Sequence, residues 1–453
     1  MSSDSHRLFG TDGVRGRFGE PPLDRATVGA LAVNLADTLR ERANGNPPRV
    51  VLGGDTREST PEICRWLAAG LEAGGTEVRY AGVIPTPGVA WLTKETGAAA
   101  GVVVSASHNP YPDNGIKLID PQGTKWSDED ELVLESRIKA HPPGDLPDLP
   151  AGRPEPELEL RELYLRHLAA TLPGERPLAG LAVVLDAGNG AASTYAGELF
   201  ERLGARVTLL HAAPDGRNVN EGCGSTAPGE MAARVAAEGA DLGAAFDGDA
   251  DRCILADERG EVRDGDAILY LWATCLHRGG RLDPPKIVAT SMSNLGLERA
   301  LAAEGIGIVR CAVGDRYVVE AMRKEGILLG GEQSGHIVQS HLATTGDGLL
   351  TAIQIAFVRH QDGRLLSEML APFRRYPQVL LNVKVKRKVA FQDLPAVTAA
   401  ARAVEERLGE DGRLVLRYSG TEPLARIMIE GPEQEMIDGL AGEIATAIRG
   451  ELA

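Results

Sequence analysis

Three stretches of the chain repeat one pattern of apolar and polar positions: a short aliphatic run, a small polar turn, then helix-like spacing. They begin at Val50-Val-Leu-Gly-Gly-Asp-Thr-Arg57, Val183-Val-Leu-Asp-Ala-Gly-Asn-Gly190 and Ile287-Val-Ala-Thr-Ser-Met-Ser-Asn294. Some forty to sixty residues after each start comes a second apolar run: Gly101–Val104, Leu242–Phe246 and Ile327–Leu329. Runs this short and this apolar suit strands buried on both faces of parallel or mixed sheets. Helical stripes such as Val28, Leu31, Leu35 and Leu39 are core-facing. The C-terminal part changes character. Val379–Lys386 alternates as a strand and Ala390–Leu408 is helix-like; Arg413–Arg417 and Leu424–Glu430 read as strands, and Gln434–Ile448 as a closing helix. The pattern predicts three similar α/β domains with mixed sheets, then a smaller α+β domain with helices on one face of an antiparallel sheet. Proline punctuation separates them: six prolines fall in His141–Pro156, with others at Asp283-Pro-Pro285 and Pro372–Pro377. We place the domains at 1–153, 154–257, 258–374 and 375–453.

Each domain ends an apolar run in a loop with chemical content. The first is Val104-Ser-Ala-Ser-His-Asn-Pro110, continuing to Asp113-Asn-Gly-Ile-Lys117. It sets the Ser107 hydroxyl beside His108 on a rigid strand end, the first requirement of covalent catalysis. The second is Asp247-Gly-Asp-Ala-Asp-Arg252. Three alternating carboxylates, Asp247, Asp249 and Asp251, repel one another unless a cation lies between them. Oxygen-only donors suit Mg²⁺ or Mn²⁺ rather than zinc, and Arg252 alongside points to a phosphate shared with the cation. The third is Gly330-Gly-Glu-Gln-Ser-Gly-His336, in which Glu332 and Ser334 can hydrogen-bond a polyol. The fourth is Arg417-Tyr-Ser-Gly-Thr-Glu-Pro423 with Arg426; Ser419, Gly420 and Thr421 between two guanidiniums have the chemistry of a phosphate nest. Each segment alone also reads as an ordinary turn; their succession in one chain is what carries meaning.

That succession resembles the α-D-phosphohexomutase superfamily from end to end. Phe9-Gly-Thr-Asp-Gly-Val-Arg-Gly16, Gly54-Asp-Thr-Arg57 and Pro85-Thr-Pro87 match it as well. Within the superfamily, Gln333, Ser293-Asn-Leu-Gly-Leu-Glu298 and Val313-Gly-Asp-Arg-Tyr-Val318 are similar to the branch that works on glucosamine phosphates, whereas Tyr418 stands where that branch often carries lysine. The resemblance implies four domains around a central active-site cleft. It implies transfer between the 6- and 1-positions of a sugar phosphate through phosphorylated Ser107 and a bisphosphorylated sugar, with one Mg²⁺ held by Ser107, Asp247, Asp249 and Asp251. The product would feed UDP-N-acetylglucosamine and cell-wall precursor synthesis. It implies that Arg15 orients the phosphoserine or the sugar and that Arg252, Glu332, Ser334, Arg417, Ser419, Gly420, Thr421 and Arg426 bind substrate. His108 and Lys117 are both candidates for proton transfer, Lys117 on the expectation that burial among cations lowers its pKa. A mannose- or glucose-phosphate enzyme of the same superfamily is the alternative; a metal-dependent phosphatase or a non-catalytic sensor accounts for fewer of the four loops.

Composition narrows the partners. At 453 residues with 43% hydrophobic and 25% charged positions, the chain is an ordinary globular multidomain protein. A formal charge of −16 argues against nucleic acid, and an anionic sugar must be drawn by a local cluster, for which Arg15, Arg57, Lys117, Arg252, Arg417 and Arg426 are candidates. The five cysteines lack C-x-x-C spacing and read as reduced cytoplasmic thiols. No run approaches the ~18 apolar residues of a membrane span, nor does the N-terminus carry a signal-peptide core. A cytoplasmic enzyme, monomeric or homodimeric and without a membrane partner, is expected.

Overall fold

The computed structural model describes residues 8–10, 12–43, 47–140, 154–419 and 423–452. Most of the proline-rich segment at 141–156 lies outside them. The chain forms three α/β domains and a C-terminal α+β domain, and it divides into two compact units, 1–292 with 306–370 and 293–305 with 371–453.

The larger unit holds three sheets of one design. The first contains β1 (Val14–Arg17), β2 (Arg49–Gly54), β3 (Glu77–Val83), β4 (Ala100–Val104) and β5 (Asp113–Ile119) in the order β1-β5-β4-β2-β3. Strands β3, β2 and β4 are parallel, and β5 returns antiparallel beside β4. The second has β6 (Ala182–Asp186), β7 (Arg206–Leu210), β8 (Leu242–Phe246), β9 (Cys253–Asp257) and β10 (Val262–Arg263), ordered β10-β9-β8-β6-β7. The third has β11 (Lys286–Thr290), β12 (Gly307–Cys311), β13 (Leu329–Gly331) and β14 (Ile337–Gln339), ordered β12-β11-β13-β14. Each sheet therefore has three parallel strands and an antiparallel return, and each sequence-predicted loop sits at that return: β4–β5, β8–β9 and β13–β14.

Burial explains why these runs are strands. Every residue of β4 and of β8 is buried, as a central strand covered on both faces requires. Small residues let the helices close down: a Cβ on Gly243 would lie 2.1 Å from Met231 Sδ on the helix Gly229–Glu238. The predicted stripe of Val28, Leu31, Leu35 and Leu39 is buried on the helix Arg25–Arg42.

In the smaller unit β15 (Gln378–Lys384), β16 (Arg413–Tyr418) and β17 (Leu424–Glu430) form an antiparallel sheet ordered β15-β17-β16. The helices Pro395–Leu408 and Gln434–Leu452 bury Val397, Val404, Leu440 and Ile444 into a core with Ile427 and Ile429. The helix predicted from Ala390 starts at Pro395 instead, after a 3₁₀ turn at Phe391–Asp393, because proline lacks an N–H and is tolerated only in a first helical turn. Residues 293–305 belong here through Asn294. It caps the helix Leu295–Ala303, and its amide donates to Glu430 Oε1 at 3.0 Å. The Ser293–Glu298 segment, offered by sequence as a signature of substrate branch, is thus a structural anchor.

Candidate active site

Ser107 follows the end of β4 with φ of 51°, a left-handed conformation that costs a non-glycine residue energy and is held only where its surroundings over-determine it. Those surroundings are explicit. Its N–H donates to Ser105 Oγ at 2.9 Å, Ser105 Oγ donates to Asp55 Oδ2 at 2.6 Å, and Asp55 pairs with Arg57 at 2.8 Å, both side chains fully buried. The Arg57 guanidinium donates to the carbonyls of Ser107, Asn109, Pro110 and Asp113 at 2.6–2.9 Å. Arg57 therefore does not belong to a substrate-facing basic cluster: its donors are spent on the loop's own backbone. Asn220 adds a bond to the Ser107 carbonyl at 2.9 Å. Held this way, Ser107 Oγ donates to Asp247 Oδ2 at 2.6 Å and lies 3.3 Å from His108 Nδ1. Partial desolvation and Arg252 hold His108 below the ordinary imidazole range.

Asp247, Asp249 and Asp251 lie in the β8–β9 turn, all buried, with carboxylate oxygens within 4.8 Å of one another. Burial and the other two carboxylates push Asp247 well above the carboxylate range. Burial acts the same way on Asp251, but Lys117, His336 and Arg252 prevail and hold it low. Asp249 Oδ2 accepts from Thr86 Oγ1 at 2.6 Å and from Lys117 Nζ at 2.8 Å. Asp249 Oδ1 and Asp251 Oδ1 are buried with no hydrogen-bond partner. Buried carboxylate oxygens left bare in a hard, oxygen-only set fit a metal ion.

Lys117 corrects the sequence expectation. Burial opposes its charge, yet Asp12, Asp249 and Asp251 surround it and raise its pKa above that of an ordinary lysine. Its neighbours are mainly carboxylates, at 3.7, 2.8 and 3.5 Å. It is a fixed ammonium, and a deprotonated base there is unfavourable. Arg15 pairs with Asp12 and donates to the Ser105 carbonyl at 3.2 Å. Lys125 bridges Asp12 and Asp315, 3.1 Å from the latter. Sequence reasoning missed Asp12, Thr86, Lys125 and Asn220; Asp12 and Thr86 carried a signal, inside the Phe9–Gly16 and Pro85-Thr-Pro87 matches.

In the β13–β14 turn, Glu332 Oε1 accepts from the Gly314 N–H at 3.0 Å and Ser334 Oγ donates to Glu332 Oε2 at 3.3 Å. This joins the Val313–Val318 segment to the predicted sugar loop. Gln333 turns away: its amide donates to Asp266 Oδ2 at 3.4 Å, at the start of the helix Gly265–Arg278. His336 is buried, accepts from the Gly346 N–H at 3.1 Å and faces Asp251 at 3.8 Å, so it packs behind the acidic turn. Arg252 donates its N–H to Asp247 Oδ1 at 3.2 Å and brings its guanidinium to 3.9 Å from Asp251.

In the smaller unit, Arg417 and Arg426 are direct partners across β16 and β17. Like charges opposed on one face of a sheet destabilise it unless an anion lies between them. Ser419 accepts from Arg426 at 3.4 Å, and Lys388 Nζ donates to the Ser419 carbonyl at 2.6 Å. Tyr418 stacks on Phe391 and donates to the Val389 carbonyl at 2.6 Å. Gly420 and Thr421 lie outside the described residues.

The four domains of the phosphoglucomutase/phosphomannomutase family match this chain in order: alpha/beta/alpha domains I, II and III at 6–143, 162–260 and 264–376, and the C-terminal domain at 380–447. A phosphoglucosamine mutase of Solibacter usitatus is 45% identical over 447 residues, covering 98% of this chain and 99% of the relative. Among solved structures, a phosphoglucomutase/phosphomannomutase family protein from Burkholderia thailandensis has a TM-score of 0.79 at 24% identity, covering 98% of this chain and 97% of its own. Aspergillus fumigatus N-acetylphosphoglucosamine mutase, solved with GlcNAc-6P and magnesium, has a TM-score of 0.65 at 19% identity, covering 98% and 95%. These two likenesses bear on the fold.

Proposed function

From the premise that this chain belongs to the phosphoglucomutase/phosphomannomutase family and is a mutase, we propose that it interconverts glucosamine 6-phosphate and glucosamine 1-phosphate through phosphorylated Ser107 and glucosamine 1,6-bisphosphate. The observation that carries the reading is the Ser107 hydroxyl 2.6 Å from Asp247 and 3.3 Å from His108, on a loop fixed by Arg57. The name of the Solibacter relative supports the choice of sugar.

In the forward direction the C1 hydroxyl attacks the phosphorus carried by Ser107; the P–Oγ bond breaks as the new P–O bond forms, giving the bisphosphate. His108, whose Nδ1 is in reach of Ser107 Oγ, is assigned both proton moves: it takes the proton that the C1 hydroxyl loses and returns one to Oγ as the P–Oγ bond breaks, and the reverse pair in the second half-reaction. Lys117, kept charged by its carboxylates, supplies positive charge beside the transferring group, as does Arg252. The bisphosphate then presents its C6 phosphate to Ser107, which takes it and releases the product. Arg417, Ser419, Gly420, Thr421 and Arg426 hold the phosphate that is not reacting, and Glu332 and Ser334 hold ring hydroxyls that look alike in both orientations. Asp247, Asp249 and Asp251, with a phosphoryl oxygen on Ser107, would hold Mg²⁺, whose charge lowers the barrier to phosphoryl transfer. Arg15 orients the phosphoserine loop through the Ser105 carbonyl. We place the enzyme in the cytoplasm, its substrate a small sugar phosphate; no described helix is long and apolar enough to cross a membrane.

Specificity constants for glucosamine, glucose and mannose phosphates in one coupled assay test the reading. Glucosamine phosphate should be fastest. With Gln333 engaged by Asp266, discrimination need not exceed ~1–3 kcal/mol, so some glucose activity is expected; faster turnover of mannose phosphate would overturn the choice of sugar.

A further inference from the structure

A second cluster of ligand atoms lies behind the catalytic loops. Asp186 ends β6, His211 follows β7, and Cys223 sits in the loop beyond; Asp186 and Cys223 are fully buried, and one donor atom of each residue lies within 4.8 Å of the others. His211 Nε2 is 3.3 Å from Glu230 Oε2. Its Nδ1 is buried, makes no hydrogen bond, and stands 3.1 Å from Asp186 Oδ1. In the neutral tautomer that carries its proton on Nε2, Nδ1 turns a bare lone pair toward a carboxylate oxygen, and the two repel unless something positive lies between them. Tetrahedral zinc ligands stand about 3.4 Å apart, close to this spacing. A ring nitrogen donating to an outer carboxylate while its other nitrogen ligates is the usual setting of a metal-bound histidine. Asp186 keeps acceptor capacity, since each of its oxygens takes one backbone N–H, from Gly188 and Gly224 at 2.9 Å.

We propose that Asp186 Oδ1, His211 Nδ1 and Cys223 Sγ bind one Zn²⁺, distinct from the oxygen-only site at Asp247, Asp249 and Asp251. A mixed sulfur, nitrogen and oxygen set selects a soft divalent ion over Mg²⁺. On binding, the Cys223 thiol gives its proton to solvent and the thiolate ligates; no electron is transferred. The role is structural. The loop between His211 and Cys223 carries Asn220, which holds the Ser107 carbonyl at 2.9 Å, and Asn189, on the neighbouring turn, accepts from Thr56 at 2.5 Å. Zinc here braces the backbone beneath the nucleophile.

The alternative occupant of the gap is a proton on Nδ1, directed at Asp186. Titration of the chelator-stripped full chain with Zn²⁺, at saturating Mg²⁺, separates the two. One equivalent should bind, and Co²⁺ in its place should give a thiolate charge-transfer band. Cys223→Ser should abolish the band and weaken Zn²⁺ at least about tenfold, and Glu230→Gln, which loses only the outer carboxylate, should weaken it roughly 10–100-fold. Circular dichroism of each variant checks that the fold is kept, and Cys311→Ser serves as a control that should change nothing. Zinc affinity that survives Cys223→Ser but is lost in Asp249→Asn would place the ion in the acidic turn and overturn the proposal, as would the absence of zinc binding to the wild-type chain.

Discussion

Ser105 and Ser107 lie two residues apart, yet their environments differ in kind. Ser105 Oγ is committed to Asp55 and accepts the Ser107 N–H, whereas Ser107 Oγ points at the acidic turn. Purified protein should therefore carry phosphate on Ser107 alone, as peptide mass spectrometry can read, and Ser107→Ala should lose several orders of magnitude in turnover. Phosphate found on Ser105, with Ser107→Ala still active, would sink the assignment. On the proposed function the three aspartates serve one ion, so single Asp→Asn changes at 247, 249 or 251 should each cripple turnover without adding when combined; full activity after exhaustive chelation would refute a metal site. Arg57 tests the support beneath them. Replacing it with methionine strands the buried Asp55 charge and four loop carbonyls, for a loss of roughly 3–5 kcal/mol, measurable by denaturant unfolding. A loss under about 1 kcal/mol would mean that water replaces the guanidinium.

At the scale of elements, the strand–turn–helix repeat was legible because a doubly buried parallel strand leaves an unbroken apolar run, and the three functional loops follow those runs directly. The partners of those loops were not legible. Thr86 reaches Asp249 from the first domain, Lys125 joins Asp12 to Asp315, and Arg57 is buried although surface exposure is the rule for arginine. Nothing in local spacing encodes such ties, because each depends on which strand ends the sheet order brings together. The same limit explains Lys117, whose charge state follows from three carboxylates distant in sequence, and Gln333, whose direction is set by the helix that follows β10. The opposed arginines of β16 and β17 are visible only once the register is known. Arg417→Ala or Arg426→Ala should raise KM for the sugar phosphate, lower turnover, and let bisphosphate escape into solution, while Ser107 stays able to carry phosphate. Unchanged KM with no free bisphosphate would move the phosphate site elsewhere.

The whole molecule carries a charge of −16, and part of it is concentrated in one unit as buried carboxylates that repel each other. Mg²⁺ bound between them, as proposed, would stabilise the folded state by mass action, about 2.7 kcal/mol when its concentration is a hundredfold above Kd. The chain reports on this with its own chromophores. All four tryptophans, Trp66, Trp91, Trp126 and Trp272, fall within residues 1–292, in the unit that holds the acidic turn. Tryptophan fluorescence therefore follows the melting of that unit. Its midpoint should rise with Mg²⁺ in the wild-type chain and stay flat in Asp249→Asn, which keeps the fold but loses one ligand and one repulsive charge. If both proteins gain equally from Mg²⁺, the ion acts at the anionic surface by screening and not between these three aspartates.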